Sequence, residues 1–211
     1  MRITAAEDFS CDKSTACCIT GHRRRDLPFG GDMNKQGMKC LVSMLQLLCQ
    51  EAYRDGYRTF ISGMADGIDL TCAKLVHEMI SSGKFPDTRL VCALPYEEQY
   101  REISGALDGY YYSMILSQCD EKVIVSSKGD KMRYKLRNQF MVDHSSRIIG
   151  AYKKKERGSG TLQTINMAKK AGLNIQIISL DENPVLYCDT DTNDGVSDFI
   201  RIQSCKTAEK I

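Results

Sequence analysis

The chain alternates short, continuously apolar runs with longer segments whose apolar residues recur at helical spacing. The apolar runs lie at about residues 16–20, 59–61, 89–94, 122–125, 147–152 and 174–179. Helical patterns follow the first five runs, at about residues 34–55, 68–82, 97–118, 132–144 and 161–171. Short unbroken apolar runs indicate strands that are buried on both faces, and strands that alternate with helices pair in parallel through right-handed crossovers. The sequence therefore predicts a Rossmann-like, doubly wound α/β fold, with a mainly parallel sheet and helices on both faces.

The length of 211 residues suits one such domain. We expect its core at about residues 16–180, with the polar and weakly patterned segments 1–14 and 181–211 as peripheral decoration. No apolar stretch is long enough to span a bilayer, and the first residues lack the apolar segment of a signal peptide. These features predict a cytoplasmic protein with no membrane partner, and they leave open whether it forms a homo-oligomer.

The ten cysteines are scattered through predicted strands and helices, which indicates reduced thiols rather than a disulfide framework. One group could form a zinc site, namely Cys11, Cys17, Cys18 and His22. However, the chain has no CxxC pair, and adjacent residues of a strand point to opposite faces of the sheet. We therefore predict no metal site.

The formal net charge is only +2, which argues against a protein that coats nucleic acid generally. The basic residues are instead clustered at 23–25, 128–137 and 153–157, after three of the predicted strands. Because all strands of a parallel sheet end at the same edge, these clusters should converge there. Helix N-termini at that edge add unpaired N–H groups and a partial positive charge. The sequence therefore predicts an anion site at the carboxyl edge of the sheet.

Two loops at this edge carry glycines and polar side chains. In the segment 158–161, the glycines permit close approach of a phosphate, and Ser159 or Thr161 can cap the following helix. In the turn 62–69, Asp69 falls in the first helical turn, where helix capping and ligand binding both remain open. We assign no catalytic role to Asp69, or to the Asp143–His144 pair near the end of a helix.

Several segments together resemble the YpsA-like branch of the SLOG superfamily, over roughly residues 16–180. They read CCITGHRRRDL, FISGMADGIDL, ALPYEEQ, RNQFMVDHSSRIIGAY and GSGTLQTINMAKKAG. SGMADGID also resembles a segment of the DNA-processing protein DprA, and GSGT resembles the phosphate loop of the Lonely Guy phosphoribohydrolases. The resemblance implies a Rossmann-like fold with a nucleotide-type pocket. The ligand-binding positions that it implies are Gly21, His22, Arg23, Ser62, Gly63, Met64, Gly67, Asp69, Arg137, Asn138, Asp143, Gly158, Ser159, Gly160 and Thr161.

One position departs from the phosphoribohydrolase pattern, because Thr164 stands where those enzymes carry a catalytic glutamate. The resemblance therefore implies phosphate binding without hydrolysis, and we predict no catalytic residue and no firm cofactor. The leading hypothesis is a module that binds or senses a nucleotide-derived ligand of the ADP-ribose or dinucleotide type. The alternatives are an N-glycosidase acting on nucleoside monophosphates and a DprA-like protein that binds single-stranded DNA.

Overall fold

A computed structural model describes residues 2–155, 159–181 and 186. The strands of this part are Arg2–Ala5 (β1), Ala16–Gly21 (β2), Thr59–Ser62 (β3), Arg89–Leu94 (β4), Glu121–Ile124 (β5), Arg147–Tyr152 (β6) and Asn174–Ser179 (β7). Its α-helices are Gln36–Arg54 (α1), Ile68–Ser81 (α2), Ala106–Gln118 (α3), Arg133–Asp143 (α4) and Gly160–Lys170 (α5). None of these helices is long and apolar enough to cross a membrane.

The strands form one sheet in the order β1-β5-β4-β3-β2-β6-β7, and every neighbouring pair is parallel. The predicted Rossmann-like α/β class is confirmed. From β2 the chain builds the sheet outward through β3, β4 and β5, and then returns to place β6 on the other side of β2. In sheets of this kind, ligands bind in the crevice outside the carboxyl ends of the strands where the direction reverses. Here that crevice lies between β2 and β6.

Helices cover both faces of the sheet. Helices α1, α2 and α3 pack together on one face, and α4 and α5 pack together on the other. Consecutive residues of β2 lie on opposite faces of the sheet. Cys17 belongs to the core on the side of α1, α2 and α3, and Cys18 to the core on the side of α4 and α5. This two-sided burial explains why the central strands are unbroken apolar runs.

Two predictions about the elements are wrong. Residues 2–5 are not decoration, because they form the edge strand β1 and pair with β5. In that strand only Thr4 is buried, so the segment carries almost no apolar signal. The single helix predicted at 97–118 is in fact a 3₁₀ helix, Glu97–Glu102, followed by α3. Gly105 separates the two with a φ of 91°, which a continuing right-handed helix does not allow.

Of the predicted extension 181–211, only residues 181 and 186 are described, so this prediction mostly concerns residues outside the described part. Leu186 itself is fully buried in the core on the α1 side. Its carbonyl oxygen would lie 2.0 Å from a Cβ at Gly37, in the first turn of α1. At this point the chain packs tightly against the domain.

Candidate functional site

Three of the predicted loops meet at the carboxyl edge of the sheet, beside the β2–β6 crevice. The Thr161 hydroxyl donates a hydrogen bond to the Gly21 carbonyl at 2.9 Å, which joins the start of α5 to the end of β2. The Ile68 amide donates to the His22 carbonyl at 3.1 Å, which joins the start of α2 to the same loop. The structure thus brings the loops after β2, β3 and β6 together, as the sequence predicts. Gly158 and Arg157 lie outside the described residues.

His22 is a buried anchor for the loop after β6. Its ring stacks on Tyr152 with centroids 5.4 Å apart, and its Nε2 lies 2.9 Å from the Lys153 carbonyl oxygen. Burial lowers the pKa of His22, so the neutral ring donates from Nε2 to that carbonyl. The residue forms part of the wall of the site and holds the two loops in register.

A cavity of about 330 Å³ opens at the N-terminus of α5, and we call it the α5 cavity. Ser159 caps the helix, because its Oγ accepts a hydrogen bond from the Leu162 amide at 3.0 Å. A Cβ added at Gly160 would meet no atom within 4 Å, so this part of the helix presents bare backbone. The helix dipole and the unpaired N–H groups of the first turn make such a place favourable for an anion.

A buried ion pair between Arg137 and Asp69 lies at the base of the α5 cavity. Arg137 Nη1 is 3.3 Å from Asp69 Oδ2, and both residues line the cavity while staying at least nine-tenths buried. Burial lowers the pKa of Arg137 and raises the pKa of Asp69, because removal from water disfavours the charged form of each side chain. The buried Arg137 Nε has no hydrogen-bond partner in the described part of the chain. An anion in the cavity would stabilise this guanidinium.

The glycine-rich turn after β3 makes room for these groups. A Cβ at Gly63 would lie 1.4 Å from Arg137 Nη1, so only glycine admits the arginine. A Cβ at Gly67, which has a φ of 91°, would lie 2.4 Å from the His22 carbonyl oxygen. The Ser62 hydroxyl donates to the Asp69 carbonyl at 2.9 Å and accepts from the amide of buried Met64 at 3.1 Å. Ser62, Gly63, Met64 and Gly67 therefore shape the site and leave ligand contact to their neighbours.

The arginines that follow β2 have different surroundings. Arg23, one of the predicted ligand-binding positions, has its Nη1 2.8 Å from Asp66 and its Nη2 3.9 Å from Glu102. Arg25 is 85% exposed at its side chain, lies 4.0 Å from Asp26 and lines the α5 cavity. Lys155 also lines the cavity and pairs with Asp26 at 2.7 Å. Arg25 is therefore the arginine of this run that is least restrained, a distinction that the sequence could not make.

A second cavity, of about 590 Å³, adjoins the first, and we call it the Glu102 cavity. Its lining residues are Arg23, Arg24, Arg25, Gly30, Asp66, Glu102, Ser104 and Tyr134. Glu102 Oε1 accepts hydrogen bonds from the hydroxyls of both Tyr96 and Tyr134. No local motif in the sequence points to Glu102, because the residues around it come from three separate elements.

Asp143 does not belong to the site. It is exposed at the C-terminal end of α4 and accepts a hydrogen bond from Gln139 at 2.8 Å. Helix α4 leads into the start of β6, so its last residue lies toward the amino edge of the sheet, away from the α5 cavity. Asn138, about one and a half helical turns earlier, is buried and lines the α5 cavity. We therefore remove Asp143 from the candidate site and keep Asn138.

Thr164 is unsuited to acid–base chemistry in this setting. It is 1% exposed, and its hydroxyl donates to the Gly160 carbonyl at 2.8 Å within the first turn of α5. A threonine hydroxyl also has no useful acidity near neutral pH. The position therefore supports the helix that borders the cavity, without offering a carboxylate to it.

Comparisons with known proteins agree with this architecture. The family model described as the YspA SLOG family matches residues 17–183. A UPF0398 protein of Bacillus cereus (strain B4264) is 28% identical over 160 residues, which cover 73% of this chain and 82% of the relative. A UPF0398 protein of Bacillus thuringiensis (strain Al Hakam) is 27% identical with the same coverage.

Two solved structures of DNA processing protein A (DprA) share the fold. The protein from Streptococcus pneumoniae gives a TM-score of 0.50 at 18% identity, covering 88% of this chain and 54% of that one. The Helicobacter pylori protein, whose structure concerns a single-stranded DNA binding mode, gives a TM-score of 0.51 at 16% identity. That match covers 79% of this chain and 66% of the other. The chain thus spans between half and two thirds of these structures.

Proposed function

The chain belongs to the YspA SLOG family, and from this premise we propose that it binds a phosphate-bearing, nucleotide-derived small molecule in the α5 cavity. One observation carries the proposal. The bare N-terminus of α5, at Gly160, and the buried guanidinium of Arg137 line the same cavity. Backbone N–H groups and a buried positive charge together provide the hydrogen bonds and the charge that a phosphate needs.

The charges around the cavity fit a compact anion. Arg25 and Lys155 lie on its wall, where they can add charge-assisted hydrogen bonds to phosphate oxygens. Asn138 offers an amide that can donate or accept, which suits a sugar or a base. A ligand of the ADP-ribose or dinucleotide type combines these features.

We infer binding without hydrolysis of the N-glycosidic bond. Cleavage of that bond needs a carboxylate that activates water and stabilises the positive charge that develops on the sugar. Thr164 supplies no carboxylate, and the Asp69 carboxylate lies against Arg137. The chain therefore fits a sensor or binding module better than a phosphoribohydrolase.

Single-stranded DNA is a second candidate ligand, favoured by a row of exposed lysines. Lys128, Lys131 and Lys135 are exposed at and before the start of α4. The DNA alternative is weakened because carboxylates already pair with Arg23 and Arg24, which reduces the free positive charge at this edge. The net charge of +2 also favours a small anion.

Calorimetric titrations with ADP-ribose, AMP and a thymidine oligonucleotide, each at low and physiological salt, test this proposal. We expect one nucleotide to bind per chain, with an affinity that changes little with salt. Binding to a polyanion releases many counterions and weakens steeply as salt increases. Binding of the oligonucleotide alone, with a steep dependence on salt, would replace the proposal with the DNA alternative.

A further inference from the structure

The Glu102 cavity is a direct continuation of the α5 cavity. Arg23, Arg25 and Tyr134 line both of them, so they form the boundary between the two spaces. The volumes of about 330 and 590 Å³ each fall in the range of small-molecule pockets. A phosphate held at the N-terminus of α5 fills part of the first space only. The second space can therefore take another part of the same ligand.

The orientation of Glu102 is fixed by two tyrosines. Its Oε1 accepts from Tyr96 and Tyr134, and the Arg133 guanidinium lies over both rings at 5.2 and 4.7 Å. Burial, together with the hydrogen bond to Glu102, raises the pKa of each tyrosine, so both hydroxyls stay protonated as donors. These contacts set the carboxylate in one position relative to the cavity.

The second oxygen of the carboxylate is available for a ligand. Glu102 Oε2 is 3.9 Å from Arg23 Nη2, which is too long for a hydrogen bond. The side chain is 27% exposed and lines the Glu102 cavity. A carboxylate that is held by its neighbours and has one free oxygen accepts hydrogen bonds from hydroxyl or amino groups.

We propose that Glu102 recognises a sugar hydroxyl in the second half of a diphosphate-linked ligand whose first half occupies the α5 cavity. This inference rests on the proposed function. Carboxylates bind ribose hydroxyls in this way in other Rossmann-like folds. Arg25, which belongs to both cavities, lies where the diphosphate would cross between them. Tyr96 acts as a positioning residue for Glu102.

The charge of the Glu102 cavity defines the class of group that it accepts. Three arginines line it together with Asp66 and Glu102, but Arg23 is paired with Asp66 and Arg24 with Asp108. A further phosphate placed against Glu102 would therefore be repelled by its carboxylate. An uncharged sugar donates hydrogen bonds to the same oxygens without that repulsion. The second half of the ligand is therefore an unphosphorylated, hydroxyl-bearing group.

Glu102→Gln tests the inference, with Glu97→Gln as the matched control. Glu97 lies in the same 3₁₀ helix, its side chain is 75% exposed, and it pairs with Lys122 at 3.8 Å. The wild type and both variants are titrated by calorimetry with ADP-ribose and with AMP, and thermal unfolding checks their folding. In Glu102→Gln, the side-chain amide oxygen accepts the hydrogen bonds from Tyr96 and Tyr134. The amide NH₂ group then takes the place of Oε2, the charged acceptor.

We expect Glu102→Gln to reduce the preference for ADP-ribose over AMP by about tenfold, since a hydrogen bond to a charged group is lost. AMP affinity should stay the same or rise, because a nearby negative charge is removed. Tyr96→Phe should reduce the same preference by a smaller factor, and Glu97→Gln should leave it unchanged.

The outcomes separate this inference from the proposed function. If the wild type binds AMP and ADP-ribose equally, or if Glu102→Gln leaves their ratio unchanged, the second subsite is wrong while phosphate binding in the α5 cavity stands. If the wild type binds neither compound, both proposals fail.

Discussion

Gly160→Val should abolish most ligand binding while leaving the fold intact. Gly160 is the first residue of α5 and lines the α5 cavity, and a Cβ at this position meets no atom within 4 Å. Its backbone does not have a positive φ, so valine is sterically permitted there. The branched side chain would instead stand in the space through which a phosphate approaches the backbone.

The size of the effect follows from the contacts that a phosphate would lose. A hydrogen bond to a charged group contributes about 1.5–3 kcal/mol, so blocking one N–H group should weaken binding by about tenfold to 150-fold. Folding should change little, because valine has a helix propensity at least equal to that of glycine and creates no clash. We expect the free energy of unfolding to change by less than about 0.5 kcal/mol.

Gly109→Val is the matched control. Gly109 also lies in a helix, α3, with no atom within 4 Å of its Cβ position, and it lines neither cavity. Calorimetric titration with ADP-ribose and urea unfolding are measured for both variants. Equal affinities for Gly160→Val and the wild type, with both proteins folded, would mean that the start of α5 is an ordinary helix terminus.

Four further predictions follow from the same site. Arg25→Ala should weaken ADP-ribose binding about tenfold with little effect on stability, since its side chain is largely exposed; an unchanged dissociation constant would make it a solvated residue. Asp69→Ala should destabilise the fold by about 3–5 kcal/mol in urea, because it leaves the Arg137 charge buried and unpaired; a cost under about 1 kcal/mol would contradict that. The free energy of unfolding should decrease as the pH falls below about 6.5, because burial lowers the pKa of His22 in the folded state beneath its value in the unfolded state. The stability that neutral His22 contributes is complete above the unfolded-state pKa and is lost as the pH falls through the folded-state pKa. His22→Gln should flatten this pH dependence in urea unfolding. Incubation with AMP should release no free base detectable by chromatography, because replacement of an essential base by Thr164 costs about a hundredfold to ten-thousandfold in rate; repeated turnover would refute this.

The sheet was predictable because its central strands are buried on both faces. An unbroken run such as 16–20 has few alternatives to a central strand, and the helical spacing between runs leaves few topologies. The edge strand Arg2–Ala5 gives no such signal, because only Thr4 faces the interior. Its pairing with β5 involves residues more than a hundred positions away, and local patterns contain no information about them.

The backbone part of the candidate site was equally predictable, whereas its ion pairs were not. Parallel strands place their following loops at one edge, so the meeting of Gly21 with Thr161 follows from topology alone. The pairing of Arg23 with Asp66 depends on side-chain directions in loops, for which the sequence gives no periodicity. Asp143 was assigned through its motif, although it lies about one and a half helical turns beyond Asn138, toward the amino edge of the sheet.

Chemical-shift mapping with ADP-ribose tests the account most directly, since it locates a ligand on the chain without assuming a site. The full chain, labelled with ¹⁵N, is titrated at physiological salt while the backbone amides are followed. We predict saturable shifts that are largest at residues 21–25 and 159–164, around the α5 cavity. Saturable shifts centred elsewhere, or none at saturating nucleotide, would contradict the claim that the carboxyl edge binds a nucleotide-derived ligand.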